Sequence, residues 1–342
     1  MRAAFTAMRE DEESNPNLVP SGKYLARYGQ FFDGIGLRRP LSTIAAGLPP
    51  ITRTVVDFDI CDRDAQLSDR ALGEYESRRA ITGGGPPKPW SMRSAAVKRT
   101  VGPEWAPLVE AQQHAKHPML CEIKDIEQEI LLSEMKGTDS VAAYIGVTEE
   151  VRKRLNKWRE TLREVDNWSS DCVRCILDLY RRHREVYPDK GVIIMDESVY
   201  FLDIIEVAVE KDLGGLIPCF RFDGRSEAAG RDAALANFFA VKGSRILLAS
   251  RGAGGVGLNI QCANCLIRCS PWWNTSWEEQ AEGRIYRPGQ DVPVFVYELC
   301  SRSCRIDQHK QFVRSKKKAM NEAIVKEFTA ADDDQPGDRV FE

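Results

Sequence analysis

Between Ser170 and Leu299 the periodicity of the chain switches repeatedly between helical and extended. Helical spacing of apolar residues predicts helices near Ser170–Val186, Val199–Lys211, Glu227–Val241 and Ser276–Ile285. Short apolar runs predict strands at Gly191–Met195, Leu216–Phe222, Arg245–Ala249, Asn264–Cys269 and Val292–Leu299. Strands that alternate with helices can only close as a mostly parallel sheet with helices on both faces. Such a sheet binds ligands beyond the carboxyl ends of its strands, so any site is expected in the loops that follow them. The predicted fold class is α/β, and the domain is expected to run from 165 to 325.

The flanks read differently. Residues 1–148 hold only modest periodicity, and "ITGGGPPKPWSMRS" from Ile81 is rich in glycine and proline. Val151, Leu155, Trp158, Leu162, Val165 and Trp168 recur at spacings of three and four, which predicts one helix with a single apolar face. After the last strand "SRSCRIDQHKQFVRSKKK" is basic and helix-like, and residues 326–342, with "ADDDQPGD", read as an acidic disordered tail. The N-terminus shows no apolar signal core, and the longest apolar stretch is broken by Asp196, Glu197, Asp203 and Glu206, so no membrane span is expected. Ten cysteines scattered through apolar segments suit a reducing compartment. Cys172 with Cys175, and Cys262 with Cys265, have zinc-like spacing but fall in a helix face and a strand, where structural thiols are the expectation. A formal net charge of -3 provides no overall basic field, so a nucleic-acid site would have to be local.

"SRGAGGVGLN" satisfies the dinucleotide-binding glycine pattern at Gly252, Gly254 and Gly257. That pattern requires a helix next, and only about six residues separate it from the following strand, too few for a crossover. Nicotinamide chemistry is thereby excluded, and the glycines belong to a tight loop. "VIIMDES" imitates a magnesium-binding strand end, but no phosphate loop of the form G-x-x-x-x-G-K-[ST] occurs, so Asp196 and Glu197 read as a strand–helix junction. In "PWWNTSWEEQAEGRIYRPGQ" Gln280, Arg284 and Arg287 are spaced to share one helix face, a pair of guanidiniums beside an amide that suits a phosphate. Glu278, Glu279 and Glu282 read as their solvated neighbours, and Glu282 is expected to have no role. Trp272 and Trp273 suit either stacking on bases or core packing, and their exit from a buried strand favours the core.

These segments together resemble the second RecA-like lobe of Swi/Snf-type DNA translocases, within superfamily two of the helicase-like motors. The likeness is carried by Ser250 with "AGGVGLN", by "QAEGRIYRPGQ" after "PWWN", and by Phe222-Asp223-Gly224. More weakly, "GLRRPLSTIAAGLPP" is similar to the segment leaving the family's first lobe, and "HAKHPML" to the family's helix ending in His-Pro-x-Leu. The departures are Pro40-Leu41 where the family has Thr-Lys, and Met195-Asp196-Glu197 where it favours Phe-Ser-Gln.

The resemblance implies ATP with Mg²⁺ held between two lobes, of which this chain carries the second. The first lobe supplies the phosphate loop and the Asp-Glu box, so inactivity in isolation is expected. It implies nucleotide contacts from Gly255, Gly257, Gln280, Arg284 and Arg287, the arginines being catalytic. DNA contacts are implied for Asp223, Gly224, Arg225, Ser250, Gly254, Trp273 and Asn274. It further implies double-stranded or nucleosomal DNA as partner, a chain or segment supplying lobe one, nuclear residence, and residues 1–148 as the end of lobe one plus a connector. The other reading is a non-catalytic module that binds DNA or a chromatin partner through the same surfaces and the basic helix.

Overall fold

The computed structural model describes residues 47–81, 105–123, 149–251 and 259–333. In chain order the elements are β1 Ile51–Phe58, α1 Asp62–Ile81, α2 Ala106–Lys116, α3 Met119–Glu122, α4 Glu149–Arg163 and α5 Asp171–Val186. There follow β2 Gly191–Asp196, α6 Val199–Asp212, β3 Cys219–Phe222, α7 Ala228–Ala240, β4 Arg245–Ser250, β5 Ala263–Arg268, α8 Thr275–Glu282, β6 Val294–Ser301 and α9 Arg305–Asp333. The six strands pair in parallel in the order β1-β6-β5-β2-β4-β3. Every residue of β2, β4 and β5 is buried, as strands covered on both faces must be. This is the predicted α/β class, a RecA-like sheet, and each strand and helix expected between 170 and 299 lies within a few residues of its predicted bounds. Among the described residues no helix is long and apolar enough to cross a membrane.

Two compact units make up the chain. The larger comprises Leu48–Trp272 with Ser276–Gln311 and contains the whole sheet. One core in it gathers Ile193, Met195, Phe222, Phe238, Leu247, Leu266, Trp272, Ile285 and Val296 around the central strands. The smaller unit takes Met1–Gly47, Trp273–Thr275 and Phe312–Glu342; in it the Lys317 ammonium donates to the Trp273 carbonyl at 3.1 Å.

Local chemistry explains the boundaries. Ser170 caps α5 by accepting from the Val173 amide at 3.2 Å, and Ser198 caps α6 by accepting from Phe201 at 3.3 Å. α4 is shorter than its apolar spacing suggests. It ends at Arg163, Asp166 turns the chain at a φ of 58°, and Val165 is left 90% exposed instead of joining the apolar face. Residues 326–333, expected to be disordered, continue α9 to Asp333.

The N-terminal region contributes an edge strand that the sequence did not announce. β1 pairs along its whole length with β6, and α1 and α2 follow it. α2 is then locked to the sheet: the Lys116 ammonium donates to both Asp196 carboxylate oxygens, at 2.8 and 2.7 Å, with both side chains buried. Burial alone would lower the Lys116 pKa; Asp196, aided by Glu197, outweighs it and holds the lysine above its ordinary value.

His117, next in the chain, accepts from the Met119 amide at its Nδ1 (3.2 Å), and burial pushes it from 6.5 down to about 4. His183 and His309 are lowered for the same first reason. A histidine whose folded pKa is depressed contributes stability above its unfolded pKa and loses it as pH falls towards the folded value. Stability should therefore drop between pH 6.5 and 5, by up to about 1.4 kcal/mol per pH unit for each histidine. Urea titrations across that range should show the slope, and His117→Asn should flatten it.

Candidate nucleotide and nucleic-acid site

Because all strands are parallel, the loops after β2, β3, β4 and β5 leave the same edge of the sheet. Register then brings distant motifs together. Asp196 pairs with Ser250, and Phe222 with Ala249, so Asp223 and Ser250 emerge side by side from adjacent strand ends. Ser250 is buried at the end of β4. Its successor Arg251 is held on three sides: its amide donates to the Asp196 carbonyl at 3.0 Å, its guanidinium pairs with Glu197 at 2.6 Å, and it stacks 3.9 Å from the Trp277 ring centre. Gly254, Gly255 and Gly257 lie outside the described residues, as does Gly252.

Asp223 and Arg225 are arranged as an internal network. Arg225 donates to Asp203 at 2.8 and 2.6 Å and to Asp223 at 3.0 Å, and Arg221 donates to Asp223 at 2.6 Å. Burial alone would raise the Asp223 carboxyl; Arg225 and Arg221 hold it at about 2. Gly224 between them is exposed. The Asp223 and Arg225 side chains thus shape the loop, and Gly224 offers bare backbone to solvent. Beside this network a cavity of about 480 Å³ is lined by Arg159, Arg163, Glu206 and Arg221 among others, its cations balanced by carboxylates.

The arginine segment differs from its predicted form. α8 stops at Glu282, before Gly283, so Arg284 and Arg287 sit in the turn that follows and not on the helix face. The backbone tightens there: Arg284 bonds back to Ala281 and Ile285 to Glu282, at 3.1 Å each. Pro288 and Gly289, the latter at a φ of 97°, prevent the helix from resuming. Gln280 stands exposed on the last turn of α8. Arg284 is 9% exposed and lines an apolar cleft with Ile193, Met195, Phe222, Leu247, Ala249 and Ala281, on one face of β2, β3 and β4. Burial lowers its pKa first and the like charge of Arg287 lowers it further, which places the two guanidiniums in each other's field. The Arg287 guanidinium also donates to the Gly283 carbonyl. Two guanidiniums on one turn form a donor set suited to a polyphosphate.

Glu278 and Glu282, expected to be solvated, are buried. Arg268, at the end of β5, lies 2.9 Å from Glu298, 3.5 Å from Glu278 and 3.6 Å from Glu282, and Arg53 of β1 donates to Glu282 at 2.8 Å. Glu282 is therefore a structural anchor of the arginine turn. Trp272 is fully buried in the core, as its strand exit favoured, whereas Trp273 and Asn274 are half-buried in the smaller unit. Among the described residues no cluster of three or more histidine, cysteine or carboxylate side chains could hold a metal.

The helicase conserved C-terminal domain family matches residues 171–289, which span the central strands and the arginine turn. The chain is also similar over part of its length to curated DNA repair proteins. Its relatives include the DNA repair protein RAD5 of Cryptococcus neoformans, 32% identical over 56% of this chain and 16% of that protein. They also include the DNA repair protein rad8 of Schizosaccharomyces pombe, 39% identical over 37% of this chain and 11% of that protein. The chain therefore spans a small fraction of the relatives it matches. The crystal structure of the C-terminal part of the Fun30 ATPase domain has the same fold, with a TM-score of 0.56 at 18% identity over 83% of this chain and 99% of that one.

Proposed function

We propose that this chain acts as the arginine-bearing second lobe of a DNA-dependent ATPase of DNA repair or chromatin remodelling, working in the nucleus on double-stranded or nucleosomal DNA. The observation that carries the reading is that Arg284 and Arg287 share one turn, with Arg284 lining the same cleft as Ala249, the neighbour of Ser250. In this reading Arg284 and Arg287, with Gln280, Gly255 and Gly257, hold the triphosphate of ATP, whose magnesium and remaining contacts come from a first lobe. The nucleotide supplies a phosphoanhydride whose transfer spreads negative charge over several oxygens, and guanidiniums match that charge. DNA phosphates meet Ser250, Gly254 and the exposed backbone at Gly224, and Trp273 and Asn274 are further DNA contacts that the resemblance implies.

The lobe alone should release no phosphate from ATP above background, with or without DNA, because its sequence holds no phosphate loop of the form G-x-x-x-x-G-K-[ST] to cradle the β- and γ-phosphates. It should bind a 30-base-pair duplex with a Kd of roughly 10⁻⁴ to 10⁻⁶ M that weakens steeply with salt. Joined to a compatible first lobe it should gain DNA-stimulated turnover. Phosphate release and fluorescence anisotropy decide both points. A salt-independent nanomolar complex, with no turnover in the joined protein, would favour the non-catalytic binding module instead.

A further inference from the structure

We propose that Gln261 and Gln290 are positioning residues for the arginine turn, together stitching residues 284–290 to the segment on which the glycine stretch ends. Where α8 stops, the chain frees carbonyl groups that a continuing helix would have used. Those of Arg284, Ile285 and Pro288 are taken up from outside the helix. The Ile260 amide donates to the Arg284 carbonyl at 2.9 Å. The Gln261 amide group donates to the Pro288 carbonyl. The Gln290 amide group donates to the carbonyls of Ala263 (2.9 Å) and Ile285 (3.1 Å), while its oxygen accepts from the Asp291 amide at 3.2 Å. Residues 260–263 and 284–290 are thereby one hydrogen-bonded body, although more than twenty positions separate them in the sequence.

The chemistry requires an amide at both places. Only a side chain that donates can satisfy carbonyl oxygens, and at Gln290 the same group must also accept. Gln290 is 5% exposed, so a glutamate there would set a carboxylate against two carbonyl oxygens without water to relieve it. Gly289 belongs to the same fitting: besides its positive φ, a Cβ on it would lie 2.7 Å from the Gln261 amide nitrogen. Both guanidiniums project from the turn so held, and its placement relative to β4 and β5 sets where they stand. The proposal rests on the assignment of Arg284 and Arg287 to a nucleotide.

The test uses this chain, followed by amide hydrogen exchange read by mass spectrometry. Gln261→Ala alters a residue outside the turn, yet exchange of Tyr286–Asp291 should rise about 5- to 10-fold, the loss of one hydrogen bond. Peptides from β2 and β4 should be unchanged, which shows that the fold is intact. Gln290→Glu should give a larger rise in the same peptide. Unchanged exchange at 286–291 in folded Gln261→Ala overturns the stitch. In the protein joined to a first lobe, Gln261→Ala should lower kcat about 5- to 10-fold while leaving KM for ATP and the DNA concentration for half-stimulation in place. A merely structural glutamine would lower Tm and leave kcat at 20 °C alone, and that result overturns the positioning role. The exchange arm needs no ATP, so a turn that loosens as expected in a joined protein that never hydrolyses ATP marks failure of the nucleotide reading itself.

Discussion

Arg287→Ala, introduced into this lobe joined to a compatible first lobe, should reduce ATP turnover by roughly 10³- to 10⁵-fold, the range over which arginines that meet a transferring phosphoryl group act. The size follows from where the charge is felt. A guanidinium that matches charge developing during transfer lowers the barrier more than it tightens ground-state binding, so kcat should fall far more than KM rises. Arg287 is only half-buried and its guanidinium donates to the nearby Gly283 carbonyl, so its loss should cost little stability. Circular dichroism and Tm should match wild type. Lysine should restore little, since a point charge lacks the planar fork. Arg284→Ala should also abolish turnover, but with a measurable loss of stability, because its side chain is packed against Met195, Phe222 and Ala249. Equal turnover in wild type and Arg287→Ala would make the arginine turn a relic and remove the motor reading.

How far all this could be read from the chain depends on the range of the interactions. β2, β4 and β5 are continuous apolar runs bounded by polar residues, so local periodicity suffices to place them. β1 escaped because an edge strand needs no such run: in "ITRTVVDF" only Phe58 is fully buried, and its pairing partner β6 lies more than two hundred residues away. The arginine helix was extended too far because spacing describes a helix without saying where it stops. Gly283 and Pro288-Gly289 were the available stop signals. Glu282 was misplaced for a different reason: a glutamate three residues from an arginine reads as a surface ion pair, whereas its actual partners, Arg268 and Arg53, come from β5 and β1. Asp223 and Arg225 were legible as a motif, but their commitment to Asp203 and Arg221 was not.

The buried tie between α2 and β2 is the most costly to cut. Lys116→Ala should destabilise the protein by about 3–5 kcal/mol, the range for removing one partner of a buried ion pair. Asp196 is fully buried, the lysine donates to both of its oxygens, and the Ser198 amide donates to one of them at 2.7 Å. Without the ammonium that carboxylate keeps the cost of desolvation and loses the attraction that offset it. Lys116→Met retains most of the packing, including the approach of the side chain to the Phe201 ring, so a similar loss there would assign the effect to charge and not to volume. Adding Asp196→Asn to Lys116→Met should recover most of the stability, because a neutral amide can still accept from Ser198 and no buried charge is left over. Urea unfolding of the four proteins measures the cycle, and a cost below about 1 kcal/mol for Lys116→Ala would show that water reaches the pair. The same bond decides where the folded unit begins. A lobe cut to start at residue 165, as the helix–strand alternation suggests, loses β1, α2 and Lys116 together, and leaves Asp196 unpaired beside Ser250 at the edge where the ligands are proposed to bind. Such a fragment should unfold at far lower urea than the chain from Leu48 onward, even though every motif in it is intact.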